Sequence, residues 1–145
     1  MTPAGLDQLK SDEGLSLTAY PDPRTGKAPW TIGYGCTGPG ITEGTVWTQA
    51  QANGSILGRT MILSTLLGRK LPFWSSLSSV RQDVLVNIAY NIGITGLIRW
   101  PITLAAIGRG DYKAAADDIR NNKVWESEVK ERDERCADAL ESNTW

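Results

Sequence analysis

Asp12-Glu13-Gly14-Leu15-Ser16-Leu17-Thr18-Ala19-Tyr20-Pro21-Asp22, followed by Trp30-Thr31-Ile32-Gly33-Tyr34-Gly35, is the stretch that decides the fold. Leu15 to Tyr20 alternates apolar and polar residues, the period of a half-buried strand. Pro21 to Gly26 is dense in turn formers. Trp30 to Gly35 is rich in strand formers, and its glycines allow another backbone to approach closely. Gly38-Pro39-Gly40 breaks the pattern. A small antiparallel β unit is expected over about 14–42.

Before it, Thr2 can cap a helix with Pro3 at the first helical position. Leu6, Leu9 and Glu13 then follow at helical spacing on one face, and Gly14 can end the helix. A carboxylate on the apolar face of a last turn is out of place for a surface ion pair, which belongs on the polar face.

After the β unit the pattern is helical. Thr48-Gln49-Ala50-Gln51 reads as a capping box opening a helix to about Leu67. Ser79-Val80-Arg81-Gln82 reads as a second box, opening a helix with Val84, Leu85, Ile88, Ala89 and Ile92 on one stripe and a stop near Gly93. Trp100-Pro101 starts a short helix to Gly108, Asp111 caps another to about Asn121, and a charged helix runs from about Glu126 to Glu141. The expected architecture is α+β in a single domain, 1–145: a small antiparallel β-sheet lobe and a larger helical lobe with a cleft between them, and Glu13 at the junction.

The chain of 145 residues has a formal net charge of −1, so no global field draws it to nucleic acid. From Ile56 to Gly108, however, Arg59, Arg69, Lys70, Arg81 and Arg99 face a lone acid, Asp83. That third is suited to an anionic polymer, or its bases are scattered over solvated helix faces. Histidine is absent, which excludes a Ser–His–Asp triad, a Cys–His pair and the usual His-rich zinc sites. Cys36 and Cys136 could pair only if the fold joins them in an oxidising compartment. Neither a metal nor a cofactor is expected. No apolar run reaches the ~20 residues of a membrane span, and no basic-then-apolar leader opens the chain, so synthesis in a cytoplasm is expected.

Hydrolytic chemistry must then rest on carboxylates. Glycoside hydrolysis needs two of them in different environments: one protonated to feed the leaving oxygen, the other ionised to activate water. Glu13 suits the first role by its apolar face, Asp22 the second by its proline-flanked turn, and the Thr31 hydroxyl could hold the water. Each has a plainer reading: Glu13 as a helix-end partner of Arg120 or Arg132, Asp22 as a turn former, Thr31 as a strand residue. Trp30, Trp100 and Trp125 could stack on sugars or pack in the core.

The Asp12–Asp22 stretch resembles the "EG…L.AY.D" opening of the phage lysozymes, glycoside hydrolase family 24, and Trp30–Gly35 is similar to that family's "TIG.G" strand. Leu85–Gly93 is similar to its "LV.FA.N.G" helix, and Gly110-Asp111-Tyr112, Ala114–Ala116 and Trp125 to its "GDY..AA…W" pattern. The resemblance implies Glu13 as general acid, Asp22 as second catalytic residue, Thr31 as the water-positioning hydroxyl, and Trp30, Gly33 and Tyr34 as substrate contacts. It implies an endolysin that cuts the β-1,4 bond between N-acetylmuramic acid and N-acetylglucosamine in peptidoglycan without a cofactor; a monomer is expected, and the missing leader leads one to expect a holin for its release to the cell wall or periplasm. A lytic transglycosylase acting on the same bond and a non-catalytic glycan binder are the alternatives. Two features depart from the family: Cys36 stands where it often has histidine, and Arg132-Asp133-Glu134-Arg135 matches its Arg-Arg-x-x-Glu-like helix only loosely.

Overall fold

A computed structural model describes the chain, apart from the side chains of residues 123–130. In chain order it contains α1 (Pro3–Glu13), β1 (Ser16–Pro21), β2 (Trp30–Gly33), α2 (Gln49–Lys70), α3 (Ser79–Ile98), α4 (Pro101–Gly108), α5 (Tyr112–Arg120) and α6 (Lys123–Ser142), with a 3-10 turn at Trp74–Ser76. Mostly helical with a small two-stranded antiparallel sheet, this is the α+β class expected. Two compact units are present, one of Leu9–Thr60 and one of Met1–Gln8 with Met61–Trp145.

In the Leu9–Thr60 unit, Gly14 stops α1 at φ +67° while its N–H donates to Lys10 O at 3.1 Å. β1 and β2 pair Ser16 with Gly33, Tyr20 with Thr31 and Pro21 with Trp30, with an irregularity between the first two pairs. β2 is shorter than the expected Trp30–Gly35. Gly33 and Gly35 both have positive φ, and Cys36 turns back to bridge Ile32 through reciprocal backbone bonds of 2.9 and 2.8 Å. A segment without a strand pattern lies along β1's other side: Ala19 N–H donates to Thr45 O, and Trp47 N–H to Leu17 O, each at 2.9 Å. Ala19, Ile32 and Cys36 form a buried cluster, with Trp30, Ile41 and Trp47 packed on it. The Thr48 capping box forms as read: Thr48 N–H donates to Gln51 Oε1 at 2.8 Å and Gln51 N–H to Thr48 Oγ1 at 3.2 Å.

In the other unit, the second box is displaced by one residue. Ser78, not Ser79, is the cap and accepts from Arg81 N–H, while Gln82 Nε2 donates to Trp74 O at 2.9 Å rather than back to the cap. The single apolar stripe expected on α3 is also corrected, because every residue from Asp83 to Tyr90 is buried. A helix covered all round lies inside its unit, so faces cannot be told apart by period. The stop read near Gly93 is present as a kink: Gly93 is non-helical (φ 76°, ψ 160°), and a second helical stretch runs on from it to Ile98. Asp111 caps α5 as expected, accepting from Ala114 N–H at 3.1 Å.

Two buried polar centres are built into this core. Asp83 accepts from Thr2 N–H at 2.9 Å and Thr2 Oγ1 at 2.5 Å, and faces the Met1 ammonium at 4.0 Å. Arg132, buried on α6, donates from Nε to Asn87 Oδ1 at 2.8 Å and from Nη2 to Asn87 O at 3.1 Å. Burying a charge is tolerable only when it is paired and hydrogen-bonded in this way. Among the described residues, no helix is long and apolar enough to cross a membrane.

Candidate active site

Glu13, Asp22, Thr31, Trp30, Gly33 and Tyr34 all fall in the Leu9–Thr60 unit. Glu13 is the last residue of α1, half-buried. Its carboxylate lies against the backbone that leaves β2: a β-carbon on Gly35 would stand 3.1 Å from Glu13 Oε2. Gly35, with φ +77°, is therefore the residue that admits the carboxylate. It was legible only as one glycine of a Gly-rich strand.

Asp22 is half-buried directly after β1. Its Oδ1 accepts from Arg24 N–H at 2.7 Å and Thr25 N–H at 3.2 Å, an Asx-type turn. Its main chain closes the loop, with N–H to Lys27 O at 2.9 Å and O from Gly26 N–H at 2.8 Å. Asp22 is thus a turn former, as the plainer reading has it, yet Oδ2 is not consumed by the turn. The turn fixes the carboxylate by one oxygen and leaves Oδ2 outside the turn's hydrogen bonds.

Thr31 is paired with Tyr20 across the hairpin. Asp22 follows directly after β1, one residue past the last cross-strand pair, Pro21 with Trp30. The Thr31 hydroxyl makes no hydrogen bond to another described residue, and Thr31 is half-buried.

The remaining three have evident packing work. Trp30 is on the opposite face, half-buried on the Ala19–Ile32–Cys36 cluster. Gly33 gives Trp47 its place: a β-carbon there would stand 2.9 Å from Trp47 Cζ3. Tyr34 is buried, with Lys10 Nζ 5.9 Å from its ring centroid. Its hydroxyl lies 3.4 Å from Asn53 Oδ1 and accepts from Gln49 Nε2 at 3.2 Å. Sequence reasoning passed over Arg59 as well as Gly35; Arg59 Nη1 donates to Gly35 O at 3.3 Å, steadying the strip against which Glu13 lies. Nothing in a lone helical arginine marks it for that job.

Cys36, where the resemblance leads one to expect histidine, is buried with its Sγ 2.9 Å from Ser55 Oγ, and it is not joined to Cys136, also buried, by a disulfide. The histidine's place is thus filled by a core side chain. Arg120, one suggested partner for Glu13, is engaged by Asp117, Glu134, Asp138 and Glu141. Trp100 is half-buried, whereas the Trp125 side chain lies outside the described residues. Among the described residues no group of three or more His, Cys, Asp or Glu could hold a metal ion.

Helix end, hairpin turn and α+β fold together define a lysozyme-like chain whose smaller unit carries Glu13 and Asp22. Residues 10–135 match the phage lysozyme family model, and the chain belongs to that family. It is 35% identical over 121 residues to an endolysin of Bacillus phage PZA, which covers 83% of this chain and 45% of that one. It is 35% identical over 95 residues to an endolysin of Lactococcus phage c2, covering 61% of this chain and 38% of that one. The chain thus spans less than half the length of these relatives. An endolysin from Escherichia coli O157:H7 phage FAHEc1 superposes with a TM-score of 0.82 at 24% identity, over 99% of this chain and 94% of that one.

Proposed function

We propose that this chain is an endolysin muramidase that hydrolyses the β-1,4 bond between N-acetylmuramic acid and N-acetylglucosamine in peptidoglycan. The observation that carries this reading is the contact of Glu13 with Gly35, which places the helix-end carboxylate beside the strand bearing Thr31. Glu13, partly shielded from water, donates its proton to the leaving glycosidic oxygen. Asp22, held by Oδ1 in its turn, uses Oδ2 to draw a proton from the attacking water or to stabilise the oxocarbenium-like transition state. Thr31, on β2, orients that water. Gly33 and Tyr34 shape the strip against the glycan, and Trp30 adds its outer surface. In this reading the enzyme is a monomer made in the host cytoplasm, needs no cofactor, and reaches the wall through a holin.

The test compares wild type with Glu13→Gln on purified peptidoglycan, following turbidity, new reducing ends and product mass. Gln keeps the shape but cannot donate the proton, so turnover should fall by about 10²–10⁴-fold with folding intact. Hydrated reducing ends support hydrolysis. Anhydro products would replace it with the transglycosylase reading. A well-folded wild type that binds wall material but releases nothing would replace it with the glycan-binding one.

A further inference from the structure

We infer that the outer face of α2 docks this protein onto an anionic lipid bilayer. α2 is apolar on two sides. Leu63 and Leu67 are buried in the core, whereas Met61 is 68% exposed and Ile62 61% exposed. With Thr65 and Leu66 these two line a shallow open groove of about 310 Å³. Large apolar side chains at that exposure, next to one another, mark a surface that something covers.

The charge around them says what covers it. At four-residue spacing, Met61-Thr65-Arg69 forms one ridge of the helix and Ile62-Leu66-Lys70 the next, so each ridge ends on a base in the last turn. No Asp or Glu occurs anywhere in α2. Arg69 and Lys70 are exposed. They can lay their stems along apolar surface while their heads meet phosphate. Anionic headgroups above hydrocarbon match this sequence of ridge and base, as in helices that lie in the membrane interface. A wall polymer of sugar or polyol phosphate would meet the bases but offer nothing to Met61 and Ile62. A second copy fits less well, because so few side chains cannot supply the roughly 800 Å² per partner of a stable dimer.

The inference is independent of the catalytic reading, and its test does not use activity. The full chain is sedimented at low salt with vesicles of equal parts phosphatidylglycerol and phosphatidylcholine, and with phosphatidylcholine alone. Wild type should pellet with the anionic vesicles and not with the neutral ones. Met61→Ser/Ile62→Ser and, separately, Arg69→Gln/Lys70→Gln should each weaken partition by about tenfold or more. Both pairs are exposed, so folding, checked by circular dichroism, should survive. Ile102, 69% exposed on α4, supplies the control: Ile102→Ser should leave partition unchanged. The inference is overturned if wild type stays in solution with anionic vesicles, if the Met61/Ile62 variant pellets as well as wild type, or if Ile102→Ser abolishes binding instead. It is also overturned if ultracentrifugation finds a dimer that Met61→Ser/Ile62→Ser dissociates, for then a second copy covers the face.

Discussion

Gly35 runs so close to Glu13 that a β-carbon on it would stand 3.1 Å from the carboxylate oxygen Oε2. The general acid proposed here is positioned by the lack of a side chain on another residue. Gly35→Ala should therefore lower turnover about tenfold or more, since small displacements of a catalytic group are costly. Alanine at φ +77° also costs about 1 kcal/mol of stability. Gly44→Ala separates the two effects. It has the same φ of +77° with open space around it, so it should lower the melting temperature and leave turnover alone.

Asp22 has a turn oxygen and a spare one, and two substitutions distinguish their work. Asp22→Asn keeps an Oδ1 that can accept from Arg24 and Thr25, so it should melt like wild type while losing most activity on peptidoglycan. Asp22→Ala removes the turn as well and should cost about 1 kcal/mol of stability besides. An Asn variant as active as wild type would return Asp22 to turn formation alone.

The buried Arg132 depends on Asn87 for two hydrogen bonds, one to the side chain and one to the backbone. Asn87→Ala removes the side-chain acceptor from a charged donor inside the core. Denaturant unfolding should register a loss of about 2 kcal/mol, twice what a neutral surface hydrogen bond is worth.

Arg120 ties α5 to α6 through Asp117, Glu134, Asp138 and Glu141. The hydrogen bond to Asp138, above all, raises the guanidinium's pKa, so its contribution persists across all ordinary pH. Arg120→Ala should cost about 1 kcal/mol near neutrality, the scale of a partly exposed network. Asp117 is held below its ordinary value, first by the hydrogen bond from Lys113 and then by the charges of Lys113 and Arg120. A lowered carboxylate stabilises the fold above its unfolded value and loses that contribution as pH falls through the folded one. The gap in melting temperature between wild type and variant should therefore narrow below the ordinary aspartate value of 3.8.

Most of the scaffold and all three proposed catalytic residues could be read without coordinates. Thr48 with Gln51, Asp111 with Ala114 and Gly14 at the end of α1 are local devices, made of residues within four positions of each other, so their chemistry is written in adjacent letters. The alternation of β1 and the turn at Asp22 are local in the same sense. The lack of histidine, too, settled by composition which chemistries could be set aside.

Tertiary structure alone decided what depends on contacts between distant residues. The cap of α3 falls on Ser78 rather than Ser79: Ser78 has the extended backbone of a cap and accepts from Arg81 N–H, while Gln82 reaches Trp74 O. From Asp83 to Tyr90 α3 is covered on every side, which period alone cannot reveal. The strip at Thr45–Trp47 has no strand pattern of its own and is held by β1. Gly35 and Arg59 acquire meaning only from the carboxylate and the carbonyl brought to them. The sequence by itself determined which groups could do chemistry and which local elements carry them, because those depend on residue type and short spacing. The fold decided which oxygen of Asp22 is spare and which backbone faces Glu13, because such distances exist only once the chain has closed on itself.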